Sequence, residues 1–227
     1  MLEILSKLPG DNIYQKIDYF ERNYDSQFKS LKKIVDIYPS NKPEIIFWAI
    51  QDALVSFQLS WKWENWHEEF SNFMIQNFDL FEEDNFLFWE KLLKNWKNNR
   101  RLIDLKLSRI RKTLLFKDEI VVNWEFYYKN MSELNKFIAL KMWQPLYAKT
   151  IVFSIKFFSY VARINNNFIP FPFDISIPVD SRIKQKYFEL TWKKWTDSVV
   201  RKYFNELWKN KGIPPLHLDS LLWVNIN

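Results

Sequence analysis

Lys149 and Asp180 are the two residues of this chain whose setting most favours covalent chemistry. Lys149 begins the run Lys-Thr-Ile-Val-Phe-Ser-Ile-Lys, and Asp180 ends the proline-rich run Pro-Phe-Asp-Ile-Ser-Ile-Pro-Val-Asp, 31 residues later. A lysine amine can attack a carbon atom and form an imine, and a nearby carboxylate can stabilise the cation that develops. Such a pair is typical of a DNA glycosylase that also cuts the strand.

Plainer roles fit both residues. Lys149, Phe153 and Lys156 share a helical face, which is also the pattern of a surface whose lysine stems lie along apolar groups. Asp180 precedes Ser181 and the start of a new helical pattern, so it is also expected to be an N-cap. The two roles of Asp180 are compatible, because a helix N-terminus keeps a carboxylate ionised.

A third run, Ile-Pro-Pro-Leu-His-Leu-Asp-Ser-Leu-Leu-Trp, places Asp219 and Trp223 four residues apart. On one helix these two side chains share a face and could hold a planar base. The alternative is a solvent-facing aspartate beside a core tryptophan. We expect His217 to be a structural or surface residue.

Composition limits the class of protein. The 227 residues include no cysteine, two histidines and two glycines, so we expect no zinc site, no iron–sulfur cluster and no glycine-rich phosphate loop. No organic cofactor is implied either. The chain has no secretion pattern at Met1 and no apolar run long enough to span a membrane, which predicts a cytoplasmic protein.

Positive charge is concentrated in one segment. Between Lys91 and Lys117 there are ten basic residues and a single acid, Asp104, within a chain of net charge +6. Such an excess of basic over acidic residues predicts contact with a polyanion, and Arg100 and Arg101 are our candidates for phosphate contacts. The alternative is a basic surface without a partner.

Apolar residues recur at helical spacing almost throughout, so we predict an all-α protein. Predicted helices cover residues 2–8, 12–22, 25–37, 43–59, 62–78, 84–97, 100–115, 118–129, 132–142, 146–164, 180–189, 191–210 and 214–225. The long apolar segment 164–180 contains prolines that argue for an extended loop rather than a strand.

The three runs together resemble those of AGOG, the archaeal 8-oxoguanine DNA glycosylases of the helix-hairpin-helix superfamily. The resemblance covers residues 145–224 well. It is weaker upstream, where Asp25-Ser-Gln-Phe-Lys29 is similar to the family's Asp-x-Gln-aromatic-basic segment. Before Lys149 the chain reads Met142-Trp-Gln-Pro-Leu-Tyr-Ala148 and lacks the Gly-x-Gly turn of most helix-hairpin-helix proteins.

The resemblance implies a helix-hairpin-helix glycosylase fold. All 227 residues would form one glycosylase domain of two helical subdomains, with the active site in the cleft between them. It implies a monomer of the archaeal cytoplasm that acts on DNA containing 8-oxoguanine, needs no metal and does not bind a membrane. The reaction would be base excision through a lysine Schiff base, followed by β-elimination.

The resemblance also assigns roles to residues. Lys149 would be the Schiff-base lysine and Asp180 the catalytic aspartate. The pocket for the oxidised base would be lined by Gln27, Trp66, Phe153, Lys156, Asp219 and Trp223. An ungapped alignment places His67 where we choose Trp66. Two alternatives stay open: a glycosylase of another base specificity, and a non-catalytic helical protein that binds nucleic acid.

Overall fold

The structure, a computed structural model, describes residues 5–59, 63–96 and 101–224, without the side chains of residues 63–66, 223 and 224. Over these ranges the chain is helical and contains no strand, which confirms the predicted all-α class. From residue 13 the α-helices are α1 (Ile13–Tyr24), α2 (Ser26–Ile37), α3 (Lys42–Val55), α4 (Trp63–Gln76), α5 (Phe78–Glu83), α6 (Asn85–Asn95), α7 (Ile103–Leu114), α8 (Lys117–Lys129), α9 (Met131–Met142), α10 (Lys149–Ala162), α11 (Ser181–Thr191), α12 (Asp197–Lys209) and α13 (His217–Val224).

The structure differs from the predicted helices most clearly in two places. The segment Phe78–Glu83 is a separate helix that we did not predict, and the predicted helix 191–210 begins only at Asp197. Trp192 ends α11 in a left-handed conformation with φ of 56°, and the Thr196 side chain caps α12 by accepting the N–H of Val199. The residues between are therefore a turn, although their apolar spacing fits a continuous helix.

Buried apolar residues form two clusters. The larger one is built from α2–α10 around the central helices α3 and α10, and both of these helices are buried over most of their length. The smaller one combines α1 with α11, α12 and α13 and includes Ile17, Ile183 and Leu221. The two clusters are a physical basis for the predicted pair of subdomains, whose boundaries stay a prediction.

The segment 164–180 is an ordered connection between the two clusters. Phe171 and Ile175 pack into the larger cluster and Ile177 into the smaller one, and no residue of the segment is helical. The prediction of an extended loop is confirmed, and the loop packs against both clusters. Because both ends of the loop are buried, the position at which Asp180 starts α11 is fixed. None of the helices in the described ranges is both long and apolar enough to cross a membrane.

Candidate active site

Lys149 and Asp180 meet where the two apolar clusters adjoin. Lys149 is the first residue of α10, and its Nζ lies 3.7 Å from Oδ2 of Asp180. The Lys149 side chain is 32% exposed and that of Asp180 is 10% exposed. The amine can therefore be reached from solvent, while the carboxylate is largely shielded.

The two carboxylate oxygens of Asp180 have different partners. Oδ1 accepts the backbone N–H groups of Arg182 and Ile183, each at 3.0 Å, so Asp180 is the N-cap that its sequence position predicts. Oδ2 faces Lys149. Capping and contact with the lysine thus use separate oxygens, and one side chain can perform both roles.

Phe153 lies between two lysines on one face of α10. Its buried ring is 5.4 Å from Nζ of Lys149 and 5.9 Å from Nζ of Lys156, measured to the ring centroid. The shared face predicted from the spacing is present. However, this face is not a solvated surface, because Phe153 and Lys156 are almost completely buried.

Lys156 is held by two buried carboxylates from distant parts of the chain. Its Nζ lies 2.6 Å from Oδ2 of Asp219 and 3.2 Å from Oδ2 of Asp25. Burial lowers the pKa of Lys156, but the two carboxylates outweigh burial and hold the pKa above its ordinary value. The alternatives of a surface lysine at 156 and a solvent-facing aspartate at 219 are therefore wrong.

Tyr160 extends this face by one more turn. Its hydroxyl donates to Oδ2 of Asp25 at 2.8 Å and lies 2.7 Å from Oγ of Ser220. Asp25 in turn caps α2 by accepting the backbone N–H of Gln27. Sequence reasoning did not assign roles to Asp25 or Tyr160, although Tyr160 continues the Lys149–Lys156 spacing and Asp25 precedes Gln27 in the matching upstream segment.

A second buried group lies behind Tyr160. Glu21 pairs with Nη1 of Arg163 at 2.6 Å and with Nδ1 of His217 at 2.9 Å, and Ser220 Oγ is 3.2 Å from its Oε1. Burial raises the pKa of Glu21, but His217 and Arg163 outweigh burial and lower it to about 2. His217 is thus a buried structural residue, and its Nε2 accepts the N–H of Phe171.

Gln27 is buried in a position next to this network. It stands between Asp25, which contacts Lys156, and Phe28, whose ring packs edge-on against Tyr160 at 5.3 Å. Its Oε1 is buried and has no hydrogen-bond partner among the described residues. A buried acceptor of this kind is costly unless a donor reaches it. Gln27 is therefore suited to accept from a group that enters the site.

Three of the residues that we singled out lie outside what the structure describes. Arg100 falls between the described ranges, and the side chains of Trp66 and Trp223 are not described, although both residues are on helices α4 and α13. His67 is buried, with Nδ1 3.3 Å from Oδ2 of Asp52 and its ring edge-on to Phe157 at 4.9 Å. The choice between Trp66 and His67 stays a prediction.

The basic segment contains both exposed and buried cations. Arg101 is exposed. Lys106 is completely buried, and burial, followed by repulsion from Arg109, lowers its pKa to about 8. Arg109 donates to the carbonyl of Leu54 at 2.9 Å and to Oγ1 of Thr150 at 3.2 Å. Lys106 and Arg109 therefore support the interior and the start of α10, and the expected phosphate contacts are restricted to the other cations.

The hairpin before Lys149 has an exposed aromatic corner. Trp143 ends α9 with φ of 55°, a left-handed conformation that favours glycine, and Lys112 Nζ lies 4.6 Å from the centroid of its ring system. Arg201 of α12 lies 4.2 Å from the centroid of the Tyr147 ring, which ties the hairpin to the smaller cluster. Lys149 follows directly and is positioned by this hairpin.

Comparisons with known proteins identify the family of the chain. The model of the family AGOG, N-glycosylase/DNA lyase, matches residues 3–227. The N-glycosylase/DNA lyase of Methanopyrus kandleri is 34% identical over 92% of this chain and 84% of its own length. The protein of the same name from Nanoarchaeum equitans is 37% identical over 90% of this chain and 82% of its own length.

A solved structure has the same fold. The 8-oxoguanine DNA glycosylase Pa-AGOG of Pyrobaculum aerophilum, crystallised with 8-oxoguanosine, superposes with a TM-score of 0.78. The match covers 98% of this chain and 84% of that one, at 23% identity. It confirms the predicted helical glycosylase fold.

Proposed function

Since the chain belongs to the AGOG family of N-glycosylase/DNA lyases, we propose that it excises 8-oxoguanine from DNA and then cleaves the strand at the resulting site. The observation that carries the proposal is the 3.7 Å approach of Lys149 Nζ to Asp180 Oδ2. It places a reachable amine beside a shielded carboxylate at the start of two helices. The family name and the ligand of the related crystal structure support the choice of reaction and base.

In the proposed reaction the damaged nucleotide leaves the base stack and enters the site, at a cost of a few kcal/mol in stacking and pairing. Lys149 attacks the sugar carbon that carries the base, and the bond between sugar and base breaks. Asp180 stabilises the positive charge that develops on the sugar. The amine and the opened sugar form an imine, and β-elimination then breaks the bond to the 3′ phosphate oxygen.

The base would be recognised by groups on four helices, α2, α4, α10 and α13. Gln27 and Asp219 would hydrogen-bond its edge, and Phe153, Trp66 and Trp223 would supply aromatic surface. Lys156 would hold Asp219 in place and add positive charge. The buried and unpaired Oε1 of Gln27 supports this assignment, because a site that needs a donor from its ligand rejects a base without one.

Borohydride trapping tests the proposal. Wild-type protein mixed with an oligonucleotide that contains 8-oxoguanine should give a covalent adduct in the presence of borohydride and a cleaved strand in its absence. Lys149→Gln should give neither, while its affinity for the same DNA stays within about twofold of wild type. Lys209→Gln, which changes an exposed lysine at the end of α12, is the matched control and should still form the adduct.

An adduct that persists in Lys149→Gln would assign the nucleophile to another amine and overturn the site. Release of a different damaged base, but not of 8-oxoguanine, would favour the alternative base specificity. DNA binding with neither adduct nor cleavage in wild type would favour the non-catalytic alternative.

A further inference from the structure

An exposed group of aromatic and basic side chains lies at the far end of α11 from Asp180. Trp192 is 79% exposed and Trp195 is 42% exposed, and both pack edge-on against Phe188, with ring centroids 5.6 and 5.5 Å away. Lys193 and Lys194 between them are exposed. We call residues 192–196 the aromatic turn. Two large indoles held at the surface are an uncommon feature for a chain that has ample core to bury them.

The backbone of the turn makes this exposure harder to explain by folding alone. Trp192 has φ of 56°, a conformation that is unfavourable for a bulky residue and suits glycine or asparagine. Neither burial nor backbone preference therefore explains a tryptophan at this position. An outlier that the fold does not require is a reason to look for a ligand.

The charge around the turn identifies the kind of ligand. The neighbouring acids are neutralised, because Glu189 pairs with Lys186 at 3.0 Å and Asp197 pairs with Lys184 at 2.7 Å. Lys193 and Lys194 have no carboxylate partner within the described ranges, so the turn carries surplus positive charge. Aromatic faces combined with cations are the chemistry of sites that bind unpaired nucleic acid, in which bases stack on rings and phosphates contact lysines.

The position of the turn fits the proposed reaction. Helix α11 has eleven residues, so it separates Asp180 from the turn by about 16 Å. At about 3.4 Å for each nucleotide of a stacked strand, this distance corresponds to roughly five nucleotides. The two ends of α11 can thus contact the same strand. The damaged nucleotide would lie at Asp180, and nucleotides that flank it would lie at the aromatic turn.

We propose that the aromatic turn binds unpaired nucleotides of the damaged strand, about five nucleotides from the lesion. The inference rests on the proposed function for the location of the lesion, but binding to the turn does not depend on catalysis. The turn would favour single-stranded over duplex DNA, because a base face is open to an indole only when the base is unpaired.

The first test measures binding without chemistry. In a Lys149→Gln background, the affinity for an undamaged single-stranded 20-mer and for its duplex is followed by fluorescence anisotropy. Trp192→Asn keeps the left-handed backbone and should weaken single-strand binding roughly 5- to 100-fold. Duplex binding should change less than about twofold. Phe126→Ala, which removes an exposed ring from α8, is the control and should change neither.

The lysines are tested by salt dependence. Lys193→Gln/Lys194→Gln should reduce the slope of log affinity against log salt for the single strand by about one to two. Lys202→Gln, an exposed lysine of α12, should leave the slope unchanged. Affinity of Trp192→Asn equal to that of the parent, or an equal loss on single strand and duplex, would overturn the proposal.

The second test locates the contact. Release of 8-oxoguanine is measured at low substrate from single-stranded 20-mers with the lesion near the 5′ end, in the centre or near the 3′ end. Trp192→Asn should have no effect when the lesion is near one of the two ends. In that substrate too few nucleotides lie between the lesion and the end of the strand to reach the aromatic turn. An effect that is independent of position would overturn the contact at five nucleotides. Absence of release by wild type would instead refute the proposed function and leave the binding test valid.

Discussion

The ammonium group of Lys156 lies 2.6 Å from a carboxylate oxygen of Asp219, and both side chains are only 1% exposed. The two residues are 63 positions apart and belong to α10 and α13. Their pairing fixes the C-terminal helix against the helix that carries Lys149. A charged pair at this depth is sensitive to the loss of either partner.

Replacing Lys156 by methionine should destabilise the fold strongly. Asp219 and Asp25 would stay buried without their cation, which typically costs about 3–5 kcal/mol of unfolding free energy. Urea denaturation of Lys156→Met measures this loss. Lys94→Met breaks an exposed pair with Glu90 and should change stability little. Equal losses in the two variants would show that the buried pair does not hold α13 in place.

Asp180→Asn should separate capping from catalysis. Asparagine still accepts the N–H groups of α11, so stability should fall by no more than about 1 kcal/mol. Removal of the charge facing Lys149 should slow base release by roughly a hundredfold or more in single-turnover assays. Asp84→Asn changes a cap of α6 that accepts the N–H of Leu87 and should leave the rate unchanged. A near-normal rate of base release by Asp180→Asn would show that Asp180 serves only as the N-cap of α11.

Gln27→Leu should damage recognition without damaging the fold. The change removes a buried oxygen that has no partner within the described ranges, so the unfolding free energy should stay constant or rise by up to about 1 kcal/mol. Discrimination between 8-oxoguanine and guanine should fall, as measured by the ratio of their release rates. Activity on a preformed abasic site should persist, because no base needs to be held there.

The matched control for Gln27 is Gln51, a fully buried glutamine in α3. Its amide bonds to Asn85, Thr113 and Trp89 at 2.8–2.9 Å. Gln51→Leu should therefore cost roughly 1–3 kcal/mol of stability. A comparable loss in Gln27→Leu would mean that Gln27 serves the fold rather than the base.

Glu21 should make stability depend on acid pH. Its folded-state pKa of about 2 lies below the ordinary value of 4.5, so its contribution to stability is present above about pH 5 and is lost as the pH falls toward 2. The loss should be roughly 3 kcal/mol for a group this buried. Urea denaturation between pH 2 and 6 should show that the unfolding free energy falls as the pH is lowered. This slope should appear in wild type and in Glu83→Gln, the control at an exposed site. Glu21→Gln should flatten it, and an unchanged slope would contradict the assignment.

Arg101 should contribute to DNA binding through a phosphate contact. Arg101→Ala should weaken binding to damaged and undamaged DNA alike and reduce the salt slope by about one. Lys32→Ala, an exposed lysine of α2 paired with Asp36, should not change the slope. An unaltered slope in Arg101→Ala would place the DNA path elsewhere.

Local pattern predicted much of the fold but little of the site. Helical spacing and the cap at Asp180 are properties of neighbouring residues, and the structure has the Asp180 cap where expected. Trp192 was missed as a helix end because its side chain fits the apolar period, while its backbone is left-handed. Periodicity does not report backbone conformation.

The site joins residues that are distant in sequence. Spacing alone favoured a solvated Lys156 and an exposed Asp219, and only the resemblance placed them together with Gln27. The reason is that burial of Lys156 depends on Asp25, 131 positions earlier, and on Asp219, 63 positions later. No local pattern contains that information.

The smaller apolar cluster has a consequence for the order in which the chain can fold. It packs Ile17 and Phe20 of α1 against Leu218 and Leu221 of α13, so its first and last contributors are about 200 residues apart. At about 5–20 residues per second, a ribosome makes the last contributor roughly 10–40 s after the first. The apolar face of α1 therefore stays uncovered during this time. The larger cluster does not include α1, and most of its members are synthesised before α13. Lys149 is consequently synthesised as part of α10 before the smaller cluster, against which Asp180 begins α11, is complete.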